Sequence, residues 1–331
     1  MQIPFRTVVE VKPFPFRIDF NTPVMMLGSC FTENIGAMLA ERKLPALVNP
    51  VGVIYNPVST ALVLQRVISA KPYTEDDLNQ YNGLWYSFHH HTSFSHIDKS
   101  QCLSRINDSL QASSKFWHSS KYLMVTFGTA RVYHYKKTGL PVANCHKLPA
   151  REFDHSLLTV EEITTLWRDL INEIVHAKPD LKIVFTVSPV RHWKDGAVGN
   201  QISKSTLLLA VSQLVSDFSD RVFYFPSYEI VMDDLRDYRF YADDMLHPSP
   251  QAISYIWERF KDWLIDSTAH KLMGEIEKIR LAINHRPLNT GTQEYRDFIN
   301  STISKIEQIQ KQHPNIDFSP EIATLKLRLE S

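Results

Sequence analysis

Residues 24–42 read VMMLGSCFTENIGAMLAER. Val24 to Leu27 is a short continuous apolar run, the pattern of a strand buried on both faces in a parallel sheet. Gly28-Ser29-Cys30 closes it as a tight turn. From Phe31 onward the apolar residues Phe31, Ile35, Met38 and Leu39 recur at helical spacing, predicting a helix through Arg42. Such a turn aims a side chain at the edge of the sheet. The N-terminus of the following helix lowers a thiol pKa and offers backbone N–H groups to an oxyanion. Two plainer roles compete: Ser29 as a helix N-cap, and Cys30 as a small buried hydrophobe.

Working outward, the same alternation recurs. YLMVTF (122–127) ends at Gly128, KIVFTV (182–187) ends at Ser188-Pro189, and a fourth strand spans 221–225. Helices are expected over 103–118, 159–177, 200–218 and 251–265, the second opening on a Thr159/Glu162 capping box. Residues 131–135 suit a short extension or hairpin. Residues 43–100 are less regular, with Asn49-Pro50 and Asn56-Pro57 flanking Gly52, followed by LWYSFHHHTSFSH (84–96). Strands alternating with long helices predict a parallel α/β sheet over about 20–265. Residues 1–23 form an extended lead-in to this 1–265 domain. Residues 266–331 carry no strand signal and predict a C-terminal helical extension of three helices (269–284, 293–312, 319–330). That extension is a candidate surface for a homodimer, or a lid over the pocket.

The chain has 331 residues, with 36 Lys plus Arg against 36 Asp plus Glu. The resulting zero net charge argues against nucleic acid or an anionic membrane as the main partner. Three cysteines, Cys30, Cys102 and Cys145, cannot build a disulfide framework. No apolar run is long enough to span a membrane, and the first residues lack the apolar core of a secretory signal. The expectation is a cytoplasmic protein with reduced thiols.

In an open parallel sheet, ligands bind beyond the carboxyl ends of the strands. Those ends deliver Gly28-Ser29-Cys30, Gly128-Thr129-Ala130, Ser188 to His192, and the loop carrying Asp244 and His247. Asp244-x-x-His247 lets the carboxylate accept a hydrogen bond from its own histidine, fixing the tautomer and freeing the other nitrogen as a base. The competing role is an N-cap aspartate beside a surface histidine. His89-His90-His91 and His96 lack a familiar zinc spacing, so no metal and no cofactor is expected. Trp85 and His91 are better read as shaping a substrate loop. Asn144, Cys145 and His146 suit a pocket wall. Arg191 and His192 suit an anionic substrate group or a solvated loop, and Cys102 suits a structural role.

LGSCFTENIG (27–36) resembles the eponymous motif of the GSCFA family, within the SGNH (GDSL-type) hydrolase superfamily. NPVGVIYNP (49–57), TFGTARVY (126–133), NCHKLP (144–149), VSPVRHWKDG (187–196) and YRFYADDMLHPS (238–249) fit the same pattern in order. The resemblance spans about 25–265. It implies a three-layer α/β/α sandwich and ester hydrolysis or acyl transfer. Its first block places Cys30 at the nucleophile position, with Ser29 as the alternative if the turn shifts by one residue. Its last block matches Asp244 and His247. Gly52 corresponds to the second-block glycine, an oxyanion donor. The third block reads Gly128-Thr129-Ala130 without the usual asparagine, so Thr129 or Asn144 would donate instead. Gly28, Gly128, Asn56, Trp85, His91, His146 and Arg191 would contact substrate. The function implied is hydrolysis of a small acyl group, such as acetyl, from a small-molecule or carbohydrate ester. An acyltransferase on the same residues, or a non-catalytic binding or scaffold module, is the alternative.

Overall fold

The structure is a computed structural model describing residues 6–285 and 291–330, the side chain of Glu330 excepted. In chain order, β1 (Val24–Gly28) leads into α1 (Cys30–Glu41), and β2 (Ala46–Val48) into α2 (Pro57–Ser69). A hairpin of β3 (Asn79–Tyr81) and β4 (Leu84–Tyr86) precedes α3 (Lys99–Ser119). Next come β5 (Tyr122–Phe127), β6 (Arg131–Tyr135), β7 (Pro141–Val142), β8 (Phe153–Leu157) and α4 (Val160–Ala177). Then β9 (Lys182–Val187) leads into α5 (Gly196–Asp217), and β10 (Val222–Tyr224) into one helical turn, α6 (Ser227–Glu229). The helices α7 (Pro250–Leu264), α8 (Ser267–Asn284), α9 (Gln293–Gln312) and α10 (Ser319–Glu330) complete the chain.

The central sheet is parallel, in the order β10-β9-β5-β1-β2. Successive strand side chains alternate between its faces. Met25 and Leu27 of β1 therefore join one core with Leu64 of α2, Ile106 of α3, Trp167 of α4 and Leu207 of α5. Val24 and Met26 join the other, with Ile35 of α1 and Ile256 and Phe260 of α7. This is the three-layer α/β/α sandwich. The lead-in belongs to it: Phe14 and Ile18 are buried in the second core, and Ile18 N–H donates to Leu264 O at 2.7 Å.

Strand order reverses at β1, with β2 on one side and β5 on the other, so the crevice above the β1 and β5 carboxyl ends is the topological switch point. Beside it stands a second, antiparallel sheet in the order β7-β6-β8. Only β6 of that sheet is expected from the sequence. β2 and α2 also arise in a segment expected to be irregular. Asn56 caps α2 by accepting from Ser59 N–H at 2.8 Å, and Pro57 occupies its first position.

α8 is two-sided. Ala269 and Met273 pack in the second core, whereas Leu272, Ile276 and Ile279 pack with α9 and α10 in a core of their own. Arg280 pairs with Glu41, Glu277 with Arg42, and Glu321 with Lys43. These pairs tie the C-terminal helices to the end of α1 farthest from Cys30, about 18 Å along that helix. Among the described residues, no helix is long and apolar enough to cross a membrane.

Candidate active site

Gly28 ends β1 with φ +144°, and a Cβ there would stand 2.3 Å from Thr126 O of β5. Only glycine lets the two strands approach this closely at that conformation. Its N–H donates to Asn49 Oδ1 at 2.8 Å. Ser29 follows as the N-cap of α1, its Oγ accepting from Phe31 N–H at 3.3 Å, and it is buried. Cys30 is thus the first residue of the helix. It is half-buried and lines a cavity of about 440 Å³ at the switch point.

His247 lines the same cavity, delivered by the loop before α7. Its Nδ1 lies 2.6 Å from Asp244 Oδ2, which leaves Nε2 free. Asp244 Oδ1 also accepts the backbone N–H groups of Leu246 and His247, each at 2.9 Å. The His247 N–H above all, then the Leu246 N–H and the imidazole, pull the Asp244 carboxyl down to about 2. Met245, at φ +59°, and the bond from Ala242 N–H to His247 O close the loop on itself. Cys30 and His247 share the cavity without a hydrogen bond between them.

Beneath the cavity lies Lys204 of α5, fully buried, whose Nζ donates to Gly128 O and Ser188 O at 2.6 Å each. It straps the carboxyl end of β5 to that of β9. Burial draws its pKa down to about 7, while the Cys30 thiolate opposes the shift. Burial in turn pushes the Cys30 thiol up, with Glu33 adding to the effect. The Phe31 and Cys30 backbone N–H groups and the Lys204 charge pull it back in part. A thiol so placed rests protonated at neutral pH and needs a base to become a nucleophile. Lys204 lies on the buried face of α5, with Asn200 and Ser203 before it and Leu207 and Val211 after it at helical spacing.

The cavity also gathers Ser29, Asn56, Thr129, Asn144 and Arg191 from the expected set. Asn56 is held by its capping role, its Nδ2 also donating to Ser59 Oγ at 3.1 Å. Thr129 Oγ1 shares a hydrogen bond with Ser203 Oγ at 3.0 Å and accepts from Arg131 N–H at 3.1 Å. Asn144 Oδ1 accepts from His146 N–H at 2.8 Å, which leaves its amide nitrogen as the remaining donor.

Gly52 stands outside the cavity, contrary to the oxyanion role expected of it. Its N–H is used by Asn49 O at 2.7 Å, and its φ of +84° serves a turn packed tightly on His91. His91 caps a short turn through Ser93. Trp85 is bonded to His96 in the β3–β4 region, its ring under Lys99. His146 is buried against Tyr86, its Nε2 2.9 Å from Ser87 O, and burial draws it down to about 4. Gly28 and Gly128 shape the floor through backbone bonds, Gly128 N–H donating to Tyr55 O at 2.7 Å. None of these six residues lines the cavity with Cys30. Cys145 does, and Cys102 is buried with its thiol on Trp85 O.

The reading from sequence missed the cavity's far wall. The antiparallel sheet supplies Arg131, Tyr133 and His155, and the loop after β9 supplies Lys194 and Asp195 beside His192, which alone of these was expected. Burial first, then the Lys204 charge, draws His192 down to about 4, so it is neutral at neutral pH. Among the described residues, no group of three or more His, Cys, Asp or Glu side chains is arranged to hold a metal.

Comparison with known proteins places residues 23–260 in a match to the GSCFA family and residues 276–331 in a match to the GSCFA domain protein, C-terminal domain. A search of curated proteins gave no match. Among solved structures, a carbohydrate esterase family 3 protein from Talaromyces cellulolyticus is similar at 9% identity and TM-score 0.36, covering 78% of this chain and 99% of that one. A family two carbohydrate esterase from Clostridium thermocellum is similar at 14% identity and TM-score 0.36, covering 78% of this chain and 68% of that one.

Proposed function

The chain belongs to the GSCFA family, and we propose that it is an acyl-ester hydrolase of SGNH type, with Cys30 as nucleophile, His247 as base and Asp244 as the group that orients it. The observation that carries this reading is that Cys30, at the N-terminus of α1, and His247, held by Asp244 with its Nε2 free, open into one cavity at the switch point. Ser29 is the weaker nucleophile because its Oγ is spent on the helix cap and it is 1% exposed.

His247 Nε2 takes the Cys30 Sγ proton as the sulfur attacks the acyl carbonyl. The tetrahedral oxyanion collapses, the ester C–O bond breaks, and His247 returns the proton to the leaving alcohol. Water, deprotonated by His247, then attacks the Cys30 thioester and releases the acid and the thiol. The donors offered for this task are the Cys30 backbone N–H and the Asn144 amide, with the Thr129 hydroxyl available only if it releases Ser203 Oγ; together they would take the place of the missing asparagine. Small acyl groups such as acetyl, on a sugar or other metabolite, suit the cavity volume. Transfer to an acceptor other than water would use the same thioester.

The test is a panel of acetyl esters assayed with wild-type protein and with Cys30→Ala. Hydrolysis by the wild type and its loss in Cys30→Ala is the expected result. Equal turnover by the two proteins refutes the assignment.

A further inference from the structure

Arg191 is placed unlike the other surface cations around the site. Arg131 pairs with Asp195 at 3.3 Å, Lys194 donates to Tyr133 Oη at 2.9 Å, and Arg236 pairs with Asp233. Among the described residues Arg191 forms no ion pair with a carboxylate, and its guanidinium donates to Met232 Sδ at 3.2 Å. It lines the catalytic cavity and also a neighbouring cavity of about 620 Å³. Asp244, Met245 and Leu246 line that second cavity, while His247 faces the first, so the catalytic loop is the ridge between the two.

The charges around the first cavity are unequal. Its lining holds Arg131, Arg191 and Lys194 against one carboxylate, Asp195, and Lys204 lies beneath. A cleft lined by one sign of charge concentrates ligands of the other sign. A guanidinium is the side chain best suited to a two-point grip on a carboxylate or phosphate.

We propose that the substrate is an anionic ester whose alcohol portion carries a carboxylate or phosphate, and that this anion pairs with Arg191 where the two cavities meet. The assignment rests on the Cys30–His247 reading for its direction. His247 must hand its proton to the departing alcohol, so the alcohol lies on the His247 side, and beyond His247 the open space is the second cavity. The acyl carbon then sits at Cys30 and the anion at Arg191. The aromatic faces of Trp193, Tyr238 and Tyr241 in the second cavity offer apolar surface to the rest of the alcohol.

Three acetyl esters on a common phenyl ring separate the cases: 4-acetoxybenzoate, 4-acetoxyphenyl phosphate and the neutral 4-acetoxybenzamide. Hydrolysis of each consumes one water and releases acetate and the phenol. One or both anionic esters should exceed the neutral one in kcat/KM by about tenfold or more, and the larger value identifies the favoured anion. Arg191→Gln should collapse that ratio toward one, Arg191→Lys should keep part of it, and added salt should shrink it. Calorimetry of 4-hydroxybenzoate and 4-hydroxyphenyl phosphate with Cys30→Ala reads the anion site without catalysis, and Arg191→Gln should weaken that binding about tenfold. If no ester is hydrolysed but the anion still binds through Arg191, the esterase reading falls and the anion site stands. Equal rates on all three esters, or an anion preference untouched by Arg191→Gln, overturns the proposal.

Discussion

Two loops meet at the cavity, and they are built in opposite ways. The Gly28–Cys30 turn is held by the whole fold: β1 lies between β2 and β5, Asn49 holds Gly28, and Ser29 is buried as the cap of α1. The Asp244–His247 loop is held mainly by itself. The carboxylate and imidazole side chains are 48% and 49% exposed, joined by a hydrogen bond three residues apart and by turns within residues 240–249. The proposed nucleophile is therefore positioned by the buried turn, and burial also keeps its thiol protonated. The proposed base is positioned by local hydrogen bonds, which survive if the loop moves as one piece. The proposed chemistry requires His247 Nε2 to come within hydrogen-bond reach of Cys30 Sγ, a tightening of the kind expected when an open site binds substrate.

The sharpest way to break this contrast is to exchange the roles of His192 and His247, two of the three histidines that line the cavity. His192 lies in the rigid part, edge-on to Tyr55, and His247 in the loop. His247→Ala should lower kcat about a hundred- to ten-thousandfold, the span of a lost general base, and His192→Ala should cost far less. If His192→Ala is the more damaging, the base belongs to the rigid region and the loop is only a wall. Steady-state kinetics on one acetyl ester decides between them.

Much of the rigid half was legible in the sequence, and the reason is physical. β1, β5 and β9 are central parallel strands buried on both faces, so each is a near-continuous apolar run, interrupted only by Thr126 in β5 and by Thr186 after the opening Lys182 in β9. β2 is a three-residue strand at the sheet edge, too short to carry a pattern. β8 reads FDHSL with its middle residues exposed, and it forms only by pairing with β6, Tyr135 opposite Phe153 and Arg131 opposite Leu157, a contact remote in sequence. The wall it builds, with Arg131 and Lys194, was invisible for that reason. The Asn56-Pro57 signal for α2 was present but stood among turn residues. The histidine run belongs to tertiary packing too: His90 is buried beside Tyr73 and Phe94, and burial draws it down to about 3. On the site, the Asp244-x-x-His247 spacing holds its own geometry, whereas Gly52 carried a family position but is committed to a turn.

A finer probe of the rigid half is the pH dependence of stability at Lys204. Its folded pKa is near 7 and the unfolded value is the ordinary lysine one, so between these the unfolded chain holds the extra proton. Stability from this group therefore rises with pH across that window, by up to about 1.4 kcal/mol per pH unit, and is flat below it. Urea unfolding of wild type against Lys204→Met at pH 7 and pH 9 should show the wild type gaining relative to the variant. A difference that does not change with pH would mean Lys204 keeps its proton when folded.

The smallest expected effect separates Ser29 from Cys30. Ser29→Ala removes the α1 cap and should cost roughly 1 kcal/mol of stability, with hydrolysis retained once the protein is folded. Activity lost at unchanged stability would instead make Ser29 the nucleophile.

The central claim is that the acyl group passes through Cys30, and the direct measurement is to trap it there. The full chain is incubated with 4-nitrophenyl acetate, quenched in acid, and its peptides are mapped by mass spectrometry. The expected result is a transient acetyl group on Cys30, accumulating in His247→Ala far more slowly than in the wild type. An acetyl group on Ser29 or Cys145, with Cys30 left free, would contradict it.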